Sequence, residues 1–145
     1  MHRRHLLPVG LAALLVAAAA AAQTPAPRVA IGGYDPVAYF TTGRPTRGSA
    51  SSSYDWDGTR YYFSSAANRA LFVENPEKYA PQYSGHCAGT MARGFRAEPD
   101  PKNWVIAGGR LFVFASTGGP ARFTSADGAE LIRRADANWQ ASGGK

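Results

Sequence analysis

The sequence predicts an α+β fold: one small domain in which two β-hairpins form antiparallel sheet, with short helices packed against it and a C-terminal helix. Two aromatic-rich segments are interrupted by the dipeptides Asp57-Gly58 and Gly108-Gly109, which supply the positive φ angles that tight hairpin turns require. Ile132, Ala135 and Trp139 recur at helical spacing near the end of the chain, which predicts a terminal amphipathic helix.

The N-terminal segment has the pattern of a secretory signal peptide covering residues 1–22. A basic start (His2–His5) precedes the apolar run Leu6–Ala22, and small alanines stand immediately before Gln23. A retained membrane anchor is the alternative, although the alanine-rich run is short for a bilayer span. We therefore expect a periplasmic or secreted protein that keeps no stable membrane span after cleavage.

For the rest of the chain, the sequence predicts one folded domain with a linker before it and a tail after it. Residues 23–28 form a Pro/Ala linker, residues 29–140 form the folded domain and residues 141–145 form a flexible tail. No internal repeat is evident. A chain of this size buries enough surface to fold as one domain, and a single cysteine cannot form an internal disulfide.

Local signals predict the elements of the first half in order. A brief strand covers 29–31, and Asp35 is the predicted N-cap of a helix with Pro36 at its first position. A loop covers 41–53, the first hairpin follows to Phe63, and Ser64 or Ser65 caps a helix that ends near Glu74.

In the second half, Ser84 is the predicted N-cap of a short helix from Gly85 to Ala92 that is closed by Gly94. The second hairpin covers 104–115, and 118–120 form a loop. The terminal helix begins at Thr124 or Ser125 and ends near Gln140. Glu130 and Arg134 form a pair at i,i+4 on its solvent-facing side.

The net charge and the motifs of the sequence favour some classes of function over others. After the leader, 14 basic and 10 acidic residues give a net charge of +4. The basic residues are scattered, which is typical of a solvated surface rather than a nucleic-acid interface. Paired carboxylates, a Ser-His-Asp order, a phosphate loop and a Cys-x-x-Cys motif are not found, so an enzyme is the least supported class. The partners that we expect are a metal ion or another protein, not nucleic acid.

Three metal-ligating side chains fall within six residues: His86, Cys87 and Met91. Imidazole, thiolate and thioether are ligands that copper and zinc prefer, so these residues are the predicted metal site, with copper as the metal. Each also has an ordinary structural interpretation, because a lone cysteine and a methionine at helical spacing are common core residues. In an ideal helix Cys87 and Met91 share a face and His86 points elsewhere, so a site that uses all three needs a departure from helical geometry.

Four segments together resemble the YHS domain: Gly33–Phe40, Tyr61–Ser65, Phe72–Tyr79 and Gly85–Ala88. The resemblance covers roughly residues 29–115. It implies a small α+β module found in exported bacterial proteins and in heavy-metal-handling proteins such as copper-transporting pumps, where a metal role is proposed. In the metal-type pattern three positions carry cysteines, and here they hold Ala38, Ser64 and Asn68. The multi-thiolate site that the resemblance would imply is therefore absent.

Three functions follow as hypotheses. The first is an exported accessory protein that binds or senses a soft metal, copper above all, near Cys87. The second is a non-metal module that binds a ligand or protein through an aromatic surface, or a structural domain; its aromatic residues are Tyr34, Tyr39, Tyr54, Trp56, Tyr61 and Tyr62. The third is a redox role for Cys87 as a reactive thiol.

Overall fold

The structure is a computed structural model and describes residues 23–144. Its strands are β1 (Arg28–Val29), β2 (Ser49–Trp56), β3 (Thr59–Phe63), β4 (Asp100–Ala107) and β5 (Arg110–Phe114). Its helices are α1 (Ala38–Thr41), α2 (Ala66–Glu74), α3 (Pro76–Tyr79), α4 (Ala88–Met91), α5 (Gly119–Phe123) and α6 (Gly128–Ala141). The α+β prediction is confirmed. The predicted signal peptide lies outside the described residues, and no helix within them is long and apolar enough to cross a membrane.

Two hairpins form two separate small sheets. In the first, β3 lies between antiparallel β2 and parallel β1; in the second, β4 pairs with β5. The predicted turns are confirmed, because Asp57, Gly58, Gly108 and Gly109 all have positive φ. Both hairpins extend further than the sequence predicts, since residues 49–53 and 100–103 continue the strands beyond a break in register.

The second half of the chain repeats the first, which corrects the expectation of no internal repeat. Every pair of the first hairpin has its equivalent 51 positions later, from Ser49–Phe63 and Asp100–Phe114 at one end to Trp56–Thr59 and Ala107–Arg110 at the other. The register break falls at the same place in both hairpins. The helix after each hairpin carries a phenylalanine that packs on the preceding strand, Phe72 against Phe63 and Phe123 against Phe114.

The segment before each hairpin is also repeated. Two tight 3-10 turns, Ala30–Gly33 and Gln82–Gly85, each contain three consecutive residues with positive φ. In both, the residue after the glycine donates its N–H to a carbonyl three residues back, at 3.1 Å and 3.0 Å. The prediction that Ser84 caps a helix is therefore wrong. Its φ is 53°, and the helix begins three residues after Gly85, at Ala88.

Other helix boundaries differ because tertiary contacts override local signals. Helix α1 begins at Ala38 rather than Pro36, although the Asp35 carboxylate does accept a hydrogen bond from the Val37 N–H. The predicted loop at 118–120 leads into α5, and α6 begins only at Gly128. On α6, Glu130 pairs with Arg133 rather than with Arg134.

The repeat gives the protein two cores with β5 between them. Along β5, Leu111 and Val113 face the core of the first half, and Phe112 and Phe114 face the core of the second. Tyr39 and Tyr61 are almost fully buried in the first core, and three of the other aromatics that the sequence singled out pack against it: Tyr34, Tyr54 and Trp56. These aromatics therefore build the fold rather than a broad exposed patch.

Candidate functional site

A fully buried carboxylate braces the first half. Asp35 accepts four hydrogen bonds: from the Val37 N–H at 2.9 Å, from the Ser64 N–H at 2.8 Å, from the Ser64 hydroxyl at 2.6 Å and from the Asn68 amide at 2.8 Å. These bonds tie the segment before α1 to the junction of β3 and α2. Because buried carboxylates require such partners, this cluster is a satisfied structural unit.

The residues around Asp35 also show whether the first half could form a metal site made of several thiolates. The three positions that carry cysteines in the metal-type pattern hold Ala38, Ser64 and Asn68. Ser64 and Asn68 do converge, but both direct their polar groups at Asp35. Hydroxyl and amide groups that already donate to a carboxylate are poor ligands for a soft metal. The side chains present do not fit a copper or zinc thiolate site.

Cys87 takes the place of Asp35 in the second half. The backbone N–H of each donates to the loop that leads into the following hairpin, to the Thr46 and the Ala97 carbonyl respectively, both at 2.8 Å. The Cys87 Sγ accepts from the Ala115 N–H at 3.1 Å, as Asp35 accepts from the Ser64 N–H. The thiol is thus held by one hydrogen bond where the carboxylate is held by four.

The side chains around Cys87 are smaller than their equivalents around Asp35. Ala115 stands where the first half has Ser64, and Gly119 where it has Asn68. A larger residue at 119 is excluded, because a Cβ there would lie 2.4 Å from the Phe114 ring. The Phe114 ring therefore occupies the space beside position 119, and the Ser64 hydroxyl and the Asn68 amide have no side-chain counterparts in the second half.

A cavity of about 230 Å³ occupies this position. Cys87, Gly89 and Thr90 border it on one side, and the rings of Phe114 and Phe123 border it on another. Leu131 of α6 adds a further apolar wall. Cys87 is only 3% exposed, so its sulfur lies in the wall of a cavity rather than on the outer surface.

Three arginines complete the lining: Arg93, Arg122 and Arg134. All three are exposed at the rim, and no acidic residue is among the described residues that line the cavity. Arg93 lies over the Phe95 ring at 4.8 Å. Within residues 23–144, the guanidinium groups of Arg122 and Arg134 form no hydrogen bond or salt bridge. The cavity therefore combines an apolar interior with a positively charged rim, where Arg134 interacts electrostatically with Glu130.

The structure does not bring the three predicted ligands together. His86 borders a different cavity, beside Arg28 and Arg96, and its Nδ1 lies 3.1 Å from the Tyr83 carbonyl oxygen. Burial, reinforced by the Arg28 charge, lowers the pKa of His86 to about 4, so the ring is neutral at pH 7. Met91 is 1% exposed in the second core. Only Cys87 of the three lines the arginine-rimmed cavity, and residues 23–144 contain no group of three or more His, Cys, Asp and Glu side chains that could hold a metal ion.

Sequence reasoning missed the arginines and glycines of this site. Arg93, Arg122 and Arg134 follow or lie on three different helices, so their spacing in the chain carries no signal. A signal does exist in the repeat: Tyr61–Phe72 and Phe112–Phe123 share phenylalanines, a serine and an alanine at equivalent positions. Aligning the two segments pairs Ser64 with Ala115 and Asn68 with Gly119, which indicates the missing side-chain volume.

The fold and the Asp35 cluster define a small α+β protein built on a repeated hairpin unit. Residues 37–83 match the YHS domain family, so this part of the chain is a YHS domain, a domain generally suggested to be associated with metals. No curated protein and no solved structure matches the chain. The matched segment ends at Tyr83, before Cys87, so the residues that line the arginine-rimmed cavity all lie beyond the match.

Proposed function

We propose that this YHS domain-containing protein is an exported, non-catalytic binding protein whose ligand site is the arginine-rimmed cavity beside Cys87. Export rests on the pattern of residues 1–22. Mass spectrometry of the protein recovered from outside the cytoplasm tests it: a chain that begins near Gln23 supports export, and a chain that still begins at Met1 contradicts it.

The comparison between the two halves carries the proposal. Both have the same hairpin register, the same tight turn before the hairpin and equivalent backbone hydrogen bonds around this position. In the first half the space is filled by Asp35, Ser64 and Asn68, whose polar atoms satisfy one another. In the second half their equivalents, Cys87, Ala115 and Gly119, border a cavity. An apolar cavity with a few polar groups at its edge is the usual form of a small-molecule site.

The residues around the cavity favour binding over catalysis. Cys87 is its one nucleophile of note, and the described lining residues include no histidine, aspartate or glutamate to act as its base. His86 is adjacent in sequence but borders the other cavity. Covalent catalysis by a thiol needs a base within hydrogen-bonding reach or an equivalent activation, so a binding role is the simpler function for this geometry.

Binding is tested with small aromatic fragments and a variant that fills the cavity. Benzyl alcohol, benzoate and benzylamine are titrated into the purified protein, and the amide NMR signals of Thr90, Ala115 and Ser116 are followed. A Cβ added at Gly89 would lie 3.8 Å from the Cys87 Sγ and 3.9 Å from the Phe114 ring, which is ordinary contact. Gly89→Leu therefore extends a side chain into the cavity.

We expect at least one fragment to shift these signals in the unmodified protein and in the control Ala70→Leu, which adds the same side chain on exposed α2. Gly89→Leu should abolish the shifts, and Gly89→Ala should weaken them. The proposal is wrong if no fragment shifts the signals, or if binding survives in a folded Gly89→Leu protein.

Copper binding at Cys87 is the second candidate function. The observation that favours it is that Cys87, although it belongs to the second core, also borders a cavity. Copper(I) titration of the protein against Cys87→Ala and Met91→Leu tests it. Copper bound at this site should lose affinity in Cys87→Ala, and equal affinity of the unmodified and Cys87→Ala proteins rules the site out.

A further inference from the structure

We infer that the ligand of the arginine-rimmed cavity is a small organic carboxylate with an apolar end. This inference rests on the proposed function and deepens it by naming the chemical class of the ligand. The features that carry it are the charges at the rim and the apolar walls of the cavity.

The charges at the rim favour an anion. Arg93, Arg122 and Arg134 contribute three positive charges around one opening, and no acidic residue lines it within the described part of the chain. Glu130, one turn before Arg134 on α6, is engaged by Arg133 at 2.6 Å. Guanidinium groups bind carboxylates through paired, charge-assisted hydrogen bonds. A metal cation or an amine would instead be repelled by all three guanidinium groups.

The walls favour an apolar end on that anion. Phe114, Phe123 and Leu131 present rings and an aliphatic chain to the cavity, and burying apolar surface against them is favourable at roughly 25 cal/mol per Å². The volume of about 230 Å³ is below the range of drug-sized pockets. The ligand should therefore be a compact molecule, of about the size of a single ring with one charged group.

The first half shows a carboxylate bound at the equivalent place. Asp35 accepts from the N–H groups of Val37 and Ser64, and their equivalents are Gly89 and Ala115. In the second half the Ala115 N–H reaches the Cys87 sulfur, whereas the Gly89 N–H has no acceptor within residues 23–144. The Cys87 sulfur thus occupies the place of the Asp35 carboxylate, so the carboxylate of a ligand would bind at the arginine rim, with its apolar end against the walls of the cavity.

The test compares the affinities of four probes of matched size or charge. Benzoate should bind about tenfold or more tighter than benzyl alcohol, since it adds charge-assisted bonds to the same ring. Acetate, which lacks the ring, and benzylamine, which reverses the charge, should both bind more weakly than benzoate. If benzyl alcohol or benzylamine binds as tightly as benzoate, the cavity remains a ligand site but the carboxylate assignment is wrong. If no probe binds, the carboxylate assignment and the proposed function are both wrong.

Two sets of variants distinguish the effect of the rim arginines on benzoate binding from the effect of positive charge elsewhere on the surface. Arg122→Gln combined with Arg134→Gln should remove most of the advantage of benzoate over benzyl alcohol while leaving benzyl alcohol binding unchanged. Arg44→Gln combined with Lys102→Gln is the matched control, because it removes the same number of charges from exposed side chains that do not line the cavity. An equal loss in the control would contradict a specific role for the rim.

A second measurement uses the unmodified protein and does not depend on the folding of variants. Sulfonatoethyl and trimethylammonioethyl methanethiosulfonate each transfer a thioalkyl group to a thiol and release methanesulfinate, but they carry opposite charges. Their rates with Cys87 are normalised to their rates with free cysteine. We expect the normalised ratio to favour the anionic reagent at least fivefold, and to fall as salt screens the rim. A ratio that favours the cationic reagent would overturn the inference.

Discussion

Asp35 and Cys87 occupy equivalent positions in the two halves. Replacing each of them measures how much that position contributes to the free energy of unfolding. Asp35→Ala removes a buried carboxylate that accepts four hydrogen bonds and leaves two backbone N–H groups, the Ser64 hydroxyl and the Asn68 amide without their acceptor. Breaking a buried charged network from one side costs about 3–5 kcal/mol. Against a typical total stability of about 5–15 kcal/mol, the variant should be close to unfolding.

Cys87→Ala provides the matched perturbation. It removes one hydrogen bond, from the Ala115 N–H to a sulfur, and a sulfur atom that already faces a cavity. We expect a cost of about 1–2 kcal/mol from these two losses. The predicted difference between the variants is therefore about 2 kcal/mol or more in the free energy of unfolding.

Urea unfolding followed by tryptophan fluorescence and far-ultraviolet circular dichroism measures both costs, with the slope of the transition checked for each variant. Asp35→Asn gives a milder third point, because it keeps the shape of the side chain and changes an acceptor oxygen into a donor. An Asp35→Ala cost below about 1 kcal/mol, or one no larger than that of Cys87→Ala, would refute the interpretation of Asp35 as the brace of the first half.

Two further predictions concern pH and packing. The pKa of His86 is about 4 in the fold and about 6.5 in an unfolded chain, so the unfolded state binds more protons between these values and stability should fall as pH drops from 6.5 to 4. His86→Gln should reduce that fall in a series of urea midpoints, and an unchanged pH dependence would contradict it. Gly119→Ala should cost about 1–3 kcal/mol by overpacking, because its Cβ would lie 2.4 Å from the Phe114 ring, whereas Gly118→Ala meets nothing within 4 Å and should be nearly neutral in the same assay.

The elements that could be predicted are those fixed by local chemistry. Asp57-Gly58 and Gly108-Gly109 form the predicted turns because few other dipeptides tolerate positive φ at both positions. Ser65 caps α2 as predicted, since its hydroxyl accepts from the Asn68 N–H at 3.1 Å, within the same turn of chain. In each case the residues that decide the conformation are neighbours in sequence.

The error at Ser84 has a long-range cause. Ser84 is a good helix cap by residue type, but Tyr83 and Ser84 both adopt left-handed conformations that non-glycine residues disfavour. Arg28 donates to the carbonyl oxygens of Ser84 and Gly85, at 2.7 Å and 3.3 Å. These contacts span more than fifty residues of chain, so no local pattern around Ser84 could indicate them.

The site was missed for the same reason. His86, Cys87 and Met91 are close in sequence, and that closeness suggested a common site. The extended backbone of His86, with ψ near 159°, and the non-helical Cys87 break the helical phase that the prediction assumed. Their side chains consequently enter two different cavities and a core. The groups that do meet at the cavity come from segments that only the fold brings together.

The repeat changes how the single cysteine should be interpreted. Taken alone, Cys87 is a lone thiol near a histidine and a methionine, and residue type then suggests a metal. Its structural equivalent is Asp35, a residue that makes hydrogen bonds, and the positions facing it are Ala115 and Gly119 where the first half has Ser64 and Asn68. Where the first half has a buried carboxylate and the side chains that satisfy it, the second half has a thiol beside a cavity that three arginines also line. Because the two halves share one backbone arrangement around this position, the first half serves as an internal reference for the second, and it is this comparison, rather than the residue types near Cys87 in the sequence, that should guide the interpretation of the thiol.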